Sequence, residues 1–339
     1  MLLSGLPAQA ASYTFPGSLP ADCSGSNGSY TCPALTLGSG DTITINSPIP
    51  ATITVNGDLI SGANSNINAG GAAANLTLVV IGTTALGASS TLHANVNGGG
   101  VVTIGNNSTV VGNIKTDSAA INVGNHSTVT GDITTTIAGV VNIGSNSTVN
   151  GNITTASGAI NVGASSTVNG SITTTIAGAI TLGANVTVTG SVATTYQGSL
   201  EGAGAITLGA NNKVGGAVST NTGAITISSN SKIVGDVSTN DGAITVENNA
   251  DLSGSVCTGN SGAITVGNNA EVGGNVETAH AGAITIGNHT NVKGAVGVKG
   301  AGATTLGNNV KVGNRIGSAC KRQSSFKIKS RQWRQIFLR

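Results

Sequence analysis

Residues 100–320 are one short pattern written eleven times, and that repetition constrains the fold more than anything else in the chain. The segment from Gly158 to Thr174 (GAINVGASSTVNGSITT) has the pattern of the segment from Gly262 to Thr278 (GAITVGNNAEVGGNVET). The step between copies is 19 or 20 residues almost everywhere. A fixed period in this range predicts a solenoid, because a single unit cannot bury its own apolar face and must stack on a copy of itself.

Four apolar columns recur, represented in one copy by Ile160, Val162, Val168 and Ile172. Within each piece the apolar residues alternate with polar ones, and most are β-branched, which predicts strand rather than helix. Each coil should therefore contain three short strands. Two glycine columns, Gly105 with Gly124 and Gly144, and Gly112 with Gly131 and Gly151, are expected at corners that need positive φ. Around the coil the apolar steps are two, six, four, then seven or eight. This departs from the six-residue step of the left-handed β-helix acyltransferases and predicts a right-handed parallel β-helix, all-β. Eleven coils at ~4.8 Å each make a rod of roughly 50 Å.

Five segments follow. Residues 1–11 read as a partial signal peptide: Ala8-Gln9-Ala10 is an A-x-A cleavage site behind a short apolar stretch, although an Ala-rich terminus could arise by chance. Residues 12–40 form a cap segment in which Tyr13, Phe15 and Tyr30 cluster with Cys23 and Cys32. These two cysteines flank a Gly/Ser/Asn turn and are placed for a local disulfide in an exported chain. Residues 41–99 alternate with worse periodicity and predict irregular first coils, 100–320 the regular solenoid, and 321–339 a basic tail of different composition. Cys257 and Cys320 lie three coils apart, about 14 Å if both stay in the stack, so Cys257 is expected to be free and Cys320 free or paired beyond this chain.

Charged residues are only 8% and aromatics 2% of the 339 residues, so solubility rests on Asn, Thr and Ser. The formal net charge of +2 is misleading, since seven of the 14 Lys and Arg follow residue 320 and all 12 acids precede it. Residues 1–320 thus carry a net −5, which leaves no electrostatic footprint for nucleic acid.

Catalytic and metal-binding signals are weak, and no cofactor is expected. No column gathers two or three carboxylates. His126 and His289 occupy a turn position that Asn fills elsewhere, and none of the four histidines has a ligand partner at metal spacing. Two outward features stand as candidate sites. The first is a face of threonines: Thr109, Thr128, Thr148, Thr167 and Thr187, with Thr130 and Thr189 two residues on. Such ranks are ordinary for exposed strands, and they also resemble the surfaces of β-helical ice-binding proteins. A further column (Thr116, Thr135, Thr155 and copies) shares the parity of the core and predicts a hydroxyl ladder at a corner. The second candidate is the one insertion, which stretches a period to 26 residues and carries Tyr196, Gln197, Leu200 and Glu201. It reads as a neutral insertion or a binding loop. In the tail, Trp333, Ile336 and Phe337 would share a helix face able to touch an anionic membrane, or the tail replaces a lost continuation of the solenoid.

The stretch from Tyr13 to Cys23, then Tyr30-Thr31-Cys32, Gly40 to Ile45 and Pro50 to Gly57, resembles the start of MshQ-like surface proteins, linked by name to biogenesis of the mannose-sensitive haemagglutinin type IV pilus. The repeats look like theirs and like bactofilin-type polymer-forming repeats. The resemblance covers residues 12–320 and brings no catalytic residues. It implies a non-enzymatic, exported, structural or adhesive rod at a bacterial surface, with pilus or surface components as partners, or self-association through coil ends. The ice-binding and polymer-forming readings remain as alternatives.

Overall fold

A computed structural model describes residues 9–46, 49–195 and 204–315. It shows an all-β solenoid in which the chain visits three parallel sheets in turn, one short strand in each per coil. The first sheet has 15 strands, from Ser12–Phe15 to Lys311–Arg315. The second has 15, from Ser24–Ser26 to Val296–Val298, and the third has 14, from Leu35–Leu37 to Thr304–Leu306. Pairing is parallel throughout except for the hairpin of Ser24–Ser26 with Ser29–Cys32. Among the described residues the only helical element is the single turn Ala73–Asn75.

The four apolar columns point inward. Ile160, Val168 and Ile172 are fully buried and Val162 nearly so. Each stacks on its counterpart one coil away, as Val149 on Val168 and Val168 on Val188. Every such side chain contributes roughly 1.5–3 kcal/mol of apolar burial. At the last described coil the columns open, and Leu306 and Val312 are exposed.

Polar residues at the corners satisfy the backbone between strands. Inside one corner Ser108 N–H donates to Ser127 Oγ at 3.2 Å, and Ser127 N–H to Ser147 Oγ at 3.2 Å. The Ser127 hydroxyl in turn donates to Gly105 O at 3.0 Å. At another corner the expected hydroxyl ladder is present: Thr116 and Thr155 are buried and donate to Ala119 O and Gly158 O, each at 2.6 Å. These bonds matter because a buried polar group without a partner costs about 1–3 kcal/mol.

One corner differs from expectation. Positive φ there belongs not to Gly105, Gly124 and Gly144 but to the residue two positions on. Asn107, His126, Asn146 and their counterparts as far as Asn309 have φ between 54° and 60°. Asn and His tolerate the left-handed region better than most residues. The glycine is needed for proximity instead: a Cβ on Gly163 would lie 2.5 Å from Ser145 N of the coil below.

The first coil closes the stack. Ser12–Phe15 pairs with Thr42–Ile45, and Ser29–Cys32 with the strand Ala51–Val55. Phe15 and Tyr30 are buried and meet edge to face, ring centroids 5.1 Å apart. The Cys23–Cys32 disulfide forms as expected, with an S–S distance of 2.04 Å. Irregularity in the early coils is visible in the serine ladder. Its step is 25 residues from Ser65 to Ser90, then 18, 19 and 20.

Candidate functional site

The first sheet carries the expected threonine face. Thr109, Thr128, Thr148, Thr167 and Thr187 pair in unbroken register, each half-buried against its neighbours. The rank also extends backwards through Thr91, Asn66 and Thr42. The outer rank is less regular. Thr130 and Thr189 are exposed, but Asn150 and Asn169 stand between them, and Val111 precedes Thr130. The two amides bond to each other, Asn169 Nδ2 donating to Asn150 Oδ1 at 2.7 Å. Among the described residues of this rank only the strands at Thr42, Thr128 and Thr187 therefore present two outward threonines, with Thr44, Thr130 and Thr189 as the second of each pair.

After Thr187 the same column continues as Lys213, Lys232, Asp251 and Glu271. Lys232 pairs with Asp251 at 2.6 Å and Lys293 with Glu271 at 2.5 Å. The hydrogen bond and charge of Asp251 raise the Lys232 pKa above its ordinary value.

A second threonine rank went unnoticed in the sequence. On the third sheet Thr181, Thr207, Thr226, Thr245, Thr265, Thr285 and Thr305 stack in register over seven successive coils. It begins in the coil where the first-sheet rank ends. Upstream the same column holds Asn122, Asn142 and Asn161, which form an amide ladder with bonds of 2.8 and 2.9 Å. The signal was available: each Thr lies between two inward apolar residues, such as Ile180 and Leu182, so strand parity alone places it outward.

The remaining candidates divide. Tyr196, Gln197, Leu200 and Glu201, and the basic tail, lie outside the described residues. His126 and His289 sit exposed at the left-handed corner. His289 Nε2 contacts Asn309 Nδ2 at 3.2 Å. Among the described residues no three His, Cys, Asp or Glu side chains gather as metal ligands, and no helix is long and apolar enough to cross a membrane.

Cys257 corrects an expectation. It is disulfide-bonded rather than free.

In comparison with known proteins, the chain matches no protein family, no curated protein and no solved structure.

Proposed function

We propose that this chain is a non-enzymatic structural rod, exported and used as a rigid spacer or adhesive stalk at a bacterial cell surface. The observation that supports the reading is the continuity of the three sheets, 14 or 15 strands each without a break. At ~4.8 Å per strand the stack holds its two ends roughly 60 Å apart. It does so by backbone hydrogen bonds in every coil, and the rod presents repeated Thr and Asn ranks to a partner. The surface and pilus parts of the proposal rest on the resemblance of residues 12–57 to MshQ-like proteins. Fractionation of cells making the full chain tests it. Recovery at the surface, with adhesion or piliation lost on deletion of the gene, is the expected result; recovery in the cytoplasm alone overturns it.

The register of Thr109 through Thr187 favours a second reading, ice binding on the first sheet. Thermal hysteresis that disappears in Thr148→Lys and Thr167→Lys would support it. Its absence at high protein concentration would remove it.

A further inference from the structure

On the second sheet the outward residue at the centre of each strand belongs to one column. Lys115 is exposed there, and Thr134, Thr154 and Thr173 are half-buried, as on a face open to solvent. Towards the far end this changes. Cys257 is only 7% exposed and Glu277 8%. Asn275, one rank to the side, is buried as well, whereas Asp236 in its own rank is exposed. Among the described residues the only other buried members of the central column are Ala193 and Ser219, small side chains on the coils that flank the insertion. The neighbours in register do not explain the cover. Ser238 and Glu277 lie on either side of Cys257, and Gly297, next after Glu277, has no side chain. The Glu277 carboxylate accepts a bond from Asn275 Nδ2 at 3.1 Å and pairs with Lys299 at 3.3 Å, as a charge withdrawn from water requires.

The identity of the cover follows from the cysteines. The chain has four; Cys23 and Cys32 hold each other, and Cys257 is disulfide-bonded, so within one chain its partner is Cys320. We infer that the second-sheet face from Cys257 to Gly297 is a docking surface for the chain's own segment 316–320, strapped there by a Cys257–Cys320 disulfide. The strap leaves the stack at Arg315 and doubles back over the last coils. Its reach is sufficient. Arg315 stands in register with Gly294, three residues short of the Gly297 column, so Cys257 lies three coils back and about 10 Å across, roughly 18 Å in all. Five extended residues span at most about 17 Å, and a disulfide adds about 5.5 Å between Cα atoms. The charges also agree. Residues 1–320 carry a net −5, and Lys321 and Arg322 follow Cys320 directly, so the bridge delivers two cations to the face that buries Glu277. Forming it takes two electrons and two protons from the two thiols and passes them to an external disulfide, which is reduced to two thiols. The terminal coils of a solenoid have a neighbour on one side only, and this tie anchors them three coils inward. The inference needs an oxidising environment and does not rest on any adhesive role.

Tryptic mapping of the full chain, denatured without reduction and with its thiols blocked, tests the bridge. The expected product is peptide 233–293 joined to peptide 316–321, parting only on reduction. Hydrogen exchange tests the docking. In Cys257→Ala/Cys320→Ala, exchange should rise at least fivefold at Val276–Thr278 and Val296–Val298 and stay unchanged at Ile133–Thr135 of the same sheet. Cys320→Ser alone, which alters no residue of the described coils, should do the same, so that loss of the Cys257 side chain is not what is measured. Cys257 recovered as a blocked thiol overturns the inference, as does Cys257 joined to Cys23, to Cys32 or to a second copy. A bridge whose removal leaves exchange unchanged at both strands also overturns it, because the segment then does not cover the face.

Discussion

Val186 N–H donates to Asn212 Oδ1 at 2.6 Å, across a step of 26 residues. At Ser108, Ser127, Ser147, Ser166 and Ser231 in this corner column a serine hydroxyl receives such a bond and passes one on to a glycine carbonyl. Asn212 does only the first, and its Nδ2 is buried with no hydrogen-bond partner. Asn212→Ser should therefore stabilise its own coil by about 1 kcal/mol, since it keeps an acceptor for Val186 and removes the orphan amide. A thermal melt beside the parent chain checks it; a lower melting temperature would show that the lost volume outweighs the repaired bond.

Val168→Asp places a carboxylate among the stacked Val149 and Val188, at a position with no exposure. No cation or donor column faces it there. The expected cost is of the order of several kcal/mol, taken locally because each coil leans only on its neighbours. Limited proteolysis should cut near residues 150–190 in the variant and not in the parent chain.

Asn146 holds φ at 57° at an exposed corner. Asn146→Ala should destabilise by about 1 kcal/mol, while Asn146→Gly should be close to neutral, because only a residue with Cβ meets the left-handed clash. Equal melting temperatures for the two variants would mean that the corner relaxes.

The Cys23–Cys32 bridge closes a short loop, with nine residues of separation. Its removal in Cys23→Ser/Cys32→Ser should cost about 2–3 kcal/mol in the first coil. Hydrogen exchange should accelerate in Ser12–Phe15 and Ala51–Val55 while strands after Val102 stay protected.

The Lys232–Asp251 pair sets a pH dependence of known sign. Raising the lysine's pKa in the folded chain stabilises it fully below the ordinary value of 10.5, and that gain is lost as pH climbs through the raised value. Asp251→Asn should melt slightly lower than the parent at about pH 8, the gap closing as pH rises through the raised lysine value. The pair is exposed, so the gap is small and shrinks with salt.

Much of this fold is legible in the sequence because its signal is local and repeated. Ile160, Val162, Val168 and Ile172 announce strand by alternation and β-branching, and their copies announce stacking. The corners are less legible. Glycine can serve positive φ or close approach, and only coordinates separate the two: Gly163 is there for proximity, Ser165 for the left-handed turn. The third-sheet threonines stand between apolar neighbours whose strand signal is the stronger one, and nothing in the repeat around Cys257 marks it as disulfide-bonded. The early coils were recognisable as strands, but steps of 25 and 18 residues hide their register from any search for one period.

The closed first coil lies at the end of the chain that is synthesised first. Each later coil meets a finished three-strand edge, and closing it draws together residues only about 18 to 26 apart. Such short closures cost little entropy and differ little from coil to coil. The rod is therefore suited to growing by accretion in the direction of synthesis, with Phe15 and Tyr30 as the seed on which the first rung is laid.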